Sequence, residues 1–295
     1  MSDKLKLYTL LGDHPGAMAL KNKTIASALV EFDFADVKVP NTAFKTLVRE
    51  SKFDLAELAI VTFLQAKTYG KPYALIPATV MGRGQLHTIF YNPSRGALAP
   101  AQLAGKRVGV RAYTQTTGAW VRGILAGDYG IDSNDVTWVT FEDPHLAEYK
   151  DPPNVVRAAA GKALEQMLLD GEIDAAILPN VPQPPCAPLF PDAADIDRRW
   201  AEKNGGVPIN HMLVIRSEIA KERSDIVREV YRLFLESKKA SLAVKSAPAL
   251  DPIRFGIEEN RKSLEIIIDY SLRQKLIPRR FTVDELFEES RAALA

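Results

Sequence analysis

An α/β fold in two lobes, each a central mixed β-sheet flanked by helices with a ligand cleft between the lobes, is what this sequence predicts, on three observations. The chain has 295 residues, a length at which a single hydrophobic core stops growing and chains divide. Short apolar runs alternate with stretches of helical period, the pattern of helices packed on a sheet. Phe53-Asp54-Leu55-Ala56 and Ile173-Asp174-Ala175-Ala176 each follow an amphipathic stretch and each set an apolar residue and an Asp ahead of a hydrophobic run, as a duplicated βαβ lobe would.

Leu5 to Leu11 alternates as a first strand and stops at Gly12-Asp13-His14-Pro15-Gly16, a turn cluster that leaves His14 on a strand-end loop. Thr42 to Lys52 has helical spacing through Phe44, Leu47 and Val48, Phe53 to Ile60 is extended, and Tyr73 to Val80 is a buried strand. The second stretch repeats this grammar: Leu103 to Val110 gives a loop and a short strand, Thr114 to Ala126 a helix headed by capping Thr residues, and Val136 to Phe141 a strand. Val156, Ala160, Ala163, Leu164, Met167 and Leu168 fall at helical intervals, closed by Asp170-Gly171-Glu172 before a strand at Ile173 to Leu178. Pro179 to Pro191 is a proline-rich loop, His211 to Arg216 a strand. Asp225 to Val244 is a helix with Ile226, Val230, Leu233 and Phe234 on one face, and Leu264 to Tyr270 and Val283 to Ala292 are further helices. Packing this last block on the first lobe makes that lobe discontinuous: residues 1–90 plus 208–295, with 91–207 as the second.

Lys+Arg 38 against Asp+Glu 37 leaves a net charge of +1, with 46% hydrophobic and 25% charged residues, which excludes disorder and gives no basic surface for nucleic acid or an anionic membrane. A small ligand is the expected partner. Cys186 is the single cysteine, so no intrachain disulfide forms. The N-terminus is charged and alternating, without an apolar stretch of signal-peptide length, and no window reaches 18 apolar residues; the expectation is a cytoplasmic protein.

Ligands of open α/β sheets settle beyond the carboxyl ends of strands, which directs attention to His14, Glu57, Arg83, His87, the segment Arg111 to Thr117, Glu142, Asn180 and His211. Arg111-Ala112-Tyr113-Thr114-Gln115-Thr116-Thr117 joins a strand to a helix N-terminus, where N–H groups and the dipole attract an anion and hydroxyls and a guanidinium add donors. The alternative there is a Thr114 or Thr116 cap beside a solvated Arg111. Position alone leaves His87 and His211 open between structural and chemical roles. His145, after Pro144 in a polar stretch, reads as ordinary surface. The four histidines are scattered singly, without metal-ligand spacing. Gly82-Arg83-Gly84 is too short a signal for a nucleotide loop, and no Gly-x-Ser-x-Gly elbow occurs.

Across most of its length the chain resembles the 4,5-dihydroxyphthalate decarboxylase family. The resemblance is carried by Phe53-Asp54-Leu55-Ala56-Glu57-Leu58, Gly84 to Asn92 with His87, Gly105-Lys106-Arg107-Val108-Gly109-Val110, Trp120-Val121-Arg122-Gly123-Ile124-Leu125, Tyr129-Gly130-Ile131 and Pro208 to Arg216. It departs where three residues separate Arg83 from His87, and where Arg111 stands in place of the proline more usual in the family. Both departures fall in binding loops and bear on the substrate.

The resemblance implies the two-lobed fold of type 2 periplasmic solute-binding proteins. It also implies a carboxy-lyase of aromatic compound catabolism that removes one carboxyl from a hydroxylated aromatic acid without a cofactor; a homo-oligomer is compatible with it. A ring hydroxyl para to the leaving carboxylate pushes electrons once deprotonated, the ipso carbon takes a proton, and carbon dioxide departs. That chemistry needs a cationic anchor, a base and an acid. Arg111 with Thr116, Thr117 and the helix N-terminus is the expected anchor for the retained carboxylate, and His87 and His211 the proton carriers. His14, Glu57, Arg83, Tyr113, Gln115 and Asn180 are further expected substrate contacts. The competing expectation is a solute-binding protein for an aromatic or other small carboxylate, since one fold serves both. A third is a biosynthetic or sensor protein like those of thiamine-pyrimidine synthesis, against which the lack of a Cys/His-rich stretch weighs.

Overall fold

The computed structural model describes residues 4–242 and 251–294. In chain order the elements are β1 (Leu5–Leu10), α1 (Met18–Lys21), β2 (Val30–Phe34), α2 (Phe44–Glu50), β3 (Leu55–Ala59), α3 (Ile60–Thr68) and β4 (Tyr73–Gly82). There follow β5 (Ile89–Tyr91), β6 (Arg107–Val110), α4 (Thr116–Tyr129), β7 (Thr137–Thr140), β8 (Val155–Arg157), α5 (Leu164–Asp170), β9 (Ala175–Ile177), β10 (Ala187–Pro188) and α6 (Ala193–Asn204). The chain ends with β11 (Ile209–Arg216), α7 (Ser217–Glu222), α8 (Ser224–Leu242), α9 (Ile257–Arg273), α10 (Val283–Leu286) and α11 (Arg291–Leu294).

Two compact units emerge, one of residues up to Arg83, Ile209–Glu265 and from Arg280 onward, the other of Gly84–Pro208 with Ile266–Arg279. The first holds a sheet of order β2-β1-β3-β11-β4, in which β1 runs parallel to β2 and β3 while β11 runs antiparallel to β3 and β4. Its core is the face of α8 carrying Ile226, Val227, Val230, Leu233 and Phe234, all at most 2% exposed, packed with Leu7, Leu55, Ile76, Leu213 and Ile215 of the sheet. Each such side chain contributes about 1.5–3 kcal/mol on burial. The expected apolar stripe of this helix is therefore the one that is buried; residues 243 and 244, which the sequence reading included in it, lie outside the described residues.

The second unit holds a sheet of order β10-β5-β9-β6-β7-β8, with β6 parallel to β7 and β9, β7 parallel to β8, and β5 antiparallel to β9. Residues 84–90 group with this unit, where β5 pairs Ile89 with Ile177. Residues 266–279 do too, with the Tyr270 ring edge-on to Trp120 at 5.8 Å.

The duplicated motif has one physical meaning in both sheets. The Asp54 N–H donates to the Tyr8 carbonyl at 2.9 Å, and its Oδ2 accepts the Tyr8 N–H at 2.9 Å. The Asp174 N–H donates to the Arg107 carbonyl at 2.8 Å, and its Oδ2 accepts the Arg107 N–H at 2.8 Å. Each carboxylate thus fastens the start of a buried strand to the parallel strand beside it.

Three sequence expectations are corrected. The helix read from Val156 to Leu168 is confined to α5, because Val155–Arg157 is an edge strand paired with β7; Val156, 37% exposed, was in register with the apolar face by coincidence. The helix read over 283–292 is two short helices, broken where the Ser290 hydroxyl donates to the Leu75 carbonyl at 2.6 Å. Neither Thr114 nor Thr116 caps α4; Thr116 is its first residue, and its N-cap is Gln115, whose side chain makes no cap hydrogen bond. Among the described residues no helix is long and apolar enough to cross a membrane.

Candidate functional site

The first unit brings together three of the expected residues, His14 and His211 around the carboxylate of Glu57. Strand β3, Leu-Ala-Glu-Leu-Ala, is buried along its whole length, so Glu57 is a carboxyl group in the middle of an apolar strand, 0% exposed. Antiparallel pairing sets Leu213 opposite Glu57 and His211 opposite Ala59, which makes His211 the diagonal neighbour of Glu57 on the same face. On the other side β1 runs level with β3, pairing Leu10 with Ala56, and the chain then turns back through Gly12. The Gly12 N–H points at Glu57 Oε2 at 3.3 Å. Two residues later His14, held extended before Pro15, brings its Nε2 onto the same oxygen.

Two imidazoles therefore share one buried carboxylate, His14 on Oε2 and His211 Nδ1 on Oε1 at 3.2 Å. Burial pushes the Glu57 carboxyl up, but hydrogen bonds from His14 and His211 and their charges more than offset this and bring it down to about 2. Glu57 is thus an acceptor on both oxygens, and each facing ring nitrogen carries its hydrogen, which fixes both tautomers. The His211 ring is also held by Phe44, edge-on at 5.2 Å. Side-chain exposures of 19% for His14 and 14% for His211 leave both rings reachable, while Glu57 is sealed at 1%. A Cβ on residue 12 would stand 3.0 Å from His14 Nε2 and 3.2 Å from Pro40 Cγ, so a side chain there would crowd the imidazole.

In the second unit, His87 is exposed on a 3-10 turn, Leu86–Thr88. Asp197 of α6 fastens that turn by accepting the N–H groups of Gln85 at 3.2 Å and Leu86 at 3.3 Å, and the Thr88 hydroxyl closes it on the Gln85 carbonyl at 2.6 Å. Burial pushes the Asp197 carboxyl up to about 6 against those two backbone donors. A Cβ on Gly84 would lie 2.2 Å from Asp197 Oδ2, so this approach requires a glycine.

Arg111 is half-buried after β6, with Nη1 3.8 Å from Glu142 Oε2, and its carbonyl accepts the N–H groups of Phe141 and Glu142. Thr116 and Thr117 lie on the first turn of α4, the former buried and the latter half-buried. Gln115 has a buried Oε1 that accepts nothing among the described residues. Tyr113 is turned inward, 2% exposed, with its hydroxyl donating to the Gln274 carbonyl at 3.3 Å. Arg83 and Asn180 are exposed at the ends of β4 and β9. His145, read as surface, is 7% exposed, because Leu146 and Tyr149 beside it turn inward and draw the segment into the interior.

Phe44, Asp197 and Arg122 were not singled out from the sequence for these roles. Arg122 had a visible signal, a lone charge in the apolar run Trp120 to Leu125. The others depend on partners more than a hundred positions away and had none. Among the described residues no group of three or more His, Cys, Asp and Glu side chains could hold a metal ion; the ring nitrogens facing Glu57 are spent on its oxygens.

No family model matches the chain. It is 30% identical over 257 residues to the 4,5-dihydroxyphthalate decarboxylase of Comamonas testosteroni, covering 81% of this chain and 76% of that protein. It is 31% identical over 193 residues to the 4,5-dihydroxyphthalate decarboxylase of Pseudomonas putida, covering 61% of this chain and 72% of that one. Among solved structures it resembles the periplasmic aliphatic sulphonate binding protein SsuA from Escherichia coli, with a TM-score of 0.58 at 12% identity over 97% of this chain and 92% of that chain. That likeness shows the fold, which is of the periplasmic-binding-protein class.

Proposed function

The chain belongs to the 4,5-dihydroxyphthalate decarboxylase family, and on that premise we propose that it removes one carboxyl group from a hydroxylated phthalate-like acid by proton transfer through imidazoles held on Glu57. The observation that carries this reading is the convergence of His14, from the loop after β1, and His211, from β11, on the two oxygens of one buried carboxylate. A buried carboxylate is costly unless a positive partner compensates it. Of the two imidazoles held there, one is assigned the acid and the other the base.

The reaction is redox-neutral. A base takes the proton of the hydroxyl para to the leaving carboxylate, an acid delivers a proton to the ipso carbon, and the dienone expels carbon dioxide as its electrons return to the ring. His211 and His14 carry the two transfers in this assignment, each worth about 10²–10⁴-fold when well placed. Glu57 orients them, touching neither ring carbon nor phenol. The second unit is assigned a carboxylate-binding group of its own in Arg111, Thr116 and Thr117, beside the buried Gln115 Oε1, and His87 on that unit is kept as a proton carrier to be tested. Tyr113, folded inward, is not carried into the reading.

The test is turnover of 4,5-dihydroxyphthalate in D₂O. Release of carbon dioxide with one deuterium at the vacated ring position supports the proposal. Ligand bound and recovered unchanged would make the chain a solute-binding protein instead. His211→Gln and His14→Gln are each expected to lower kcat at least a hundredfold, and full turnover in both removes the imidazoles from the chemistry. His87→Gln, assayed separately, decides its share.

A further inference from the structure

Arg122 lies in the interior of the second unit, 1% exposed, on the inward face of α4. Its Nε donates to Gln274 Oε1 at 2.7 Å and its Nη2 to the Tyr113 carbonyl at 2.6 Å, while the guanidinium lies 4.0 Å from the centroid of the Tyr113 ring and 5.0 Å from that of Trp138. The amide of Gln274 is itself anchored, donating to the Ala119 carbonyl at 2.8 Å. What this setting lacks is an anion. Among the described residues no carboxylate reaches ion-pair distance of Arg122, and Asp151 acts on it only from farther away. Arg122 Nη1 donates to nothing among the described residues. That idle nitrogen faces the first turn of α4: a Cβ on Gly118, third residue of the helix, would stand 3.0 Å from it.

A buried guanidinium remains charged and strongly disfavours a site without a counter-charge, and a well-packed apolar residue in its place is often as stable or more so. Its position under the α4 N-terminus supplies a reason for a cation. The N-terminal turn of α4 attracts negative charge through the helix dipole, and a fixed cation behind it adds to the same field through protein rather than through screening water. We infer that Arg122 is a positioning residue for anion capture, a buried charge that strengthens the hold of the α4 N-terminal turn on the carboxylate of an aromatic acid without touching it. The inference rests on the anion-binding role assigned above to Arg111, Thr116 and Thr117, and it selects for acids over neutral rings.

Gln274→Glu tests it by supplying the missing counter-charge in place. The full-length protein and this variant, with Arg111→Ala beside them, are titrated calorimetrically with phthalate and with catechol, a ring diol without a carboxylate, and melted in parallel. Gln274→Glu gains an ion pair with Arg122 and gives up the amide bond to the Ala119 carbonyl; it is expected to remain folded, to bind phthalate about tenfold more weakly, and to leave catechol binding where it was. A folded Gln274→Glu protein whose phthalate Kd stays within twofold overturns the inference, as does an equal loss for both ligands, which marks a structural role. If Gln274→Glu fails to fold, Arg122→Met provides the same comparison; failure of both to fold assigns Arg122 to the core alone and overturns it. Normal phthalate binding by Arg111→Ala with weak binding by Gln274→Glu removes Arg111 from the site and keeps Arg122. No phthalate binding by the unaltered protein sinks both readings.

Discussion

Replacing Glu57 by Gln removes the charge that two imidazoles share and leaves the shape of the side chain. The magnitude follows from the carboxyl's displacement from an ordinary 4.5 to about 2. That gap of about 2.5 units amounts to roughly 3 kcal/mol of folding stability at neutral pH. Because the folded value lies below the unfolded one, the contribution is fully present above pH 4.5 and drains away as pH falls toward 2. About 1 kcal/mol of it remains at pH 3. Glu57→Gln is accordingly expected to lose about 2–4 kcal/mol at pH 7, since one amide cannot accept from both rings, and to approach the unaltered protein as the pH is lowered. The assay is urea unfolding followed by far-ultraviolet circular dichroism between pH 7 and pH 3. Fluorescence is the wrong probe, because Trp120, Trp138 and Trp200 all belong to the second unit. A stability difference that is constant with pH, or absent at pH 7, would refute the claim that Glu57 is an ionised acceptor for both histidines.

Arg111→Ala should raise KM for a hydroxylated phthalate about tenfold with kcat little changed, and an unaltered KM removes it as anchor. Asp197→Asn bears on the His87 turn with the opposite pH sign from Glu57. Its raised carboxyl means that the folded protein holds the proton more tightly, so stability declines as pH rises through about 6. The Asn variant should flatten that decline in denaturant titrations at pH 5 and 7.5, and an unchanged slope contradicts the burial argument. Gly84→Ala, which sets a methyl 2.2 Å from Asp197 Oδ2, should free the Gln85 and Leu86 amides. Faster hydrogen exchange at those two positions is the expected readout, and normal protection would count against the contact.

Local pattern made the scaffold legible. Alternation located β1, apolar runs located β3, β4 and β11, and the four-residue echo around Asp54 and Asp174 marked two strands that begin with the same reciprocal hydrogen bonds. Glu57, His14 and His211 were each visible as strand-end residues, but their meeting was not, because it depends on a register between strands 150 positions apart. The failures share a cause. Val156 matched a helical period while belonging to an edge strand, where burial imposes little pattern, and the burial of Arg122 was not foreseen because its partner Gln274 comes 152 residues later.

Gly12 occupies its place for want of volume and not for backbone freedom, since its φ is not among the positive ones. An alanine there would suit the local chain conformation and crowd the ring of His14 and, at 3.2 Å, Pro40 Cγ. That single position therefore bears on chemistry: a methyl group there asks the imidazole to give by a few tenths of an ångström, and the aim of the ring at Glu57 shifts with it.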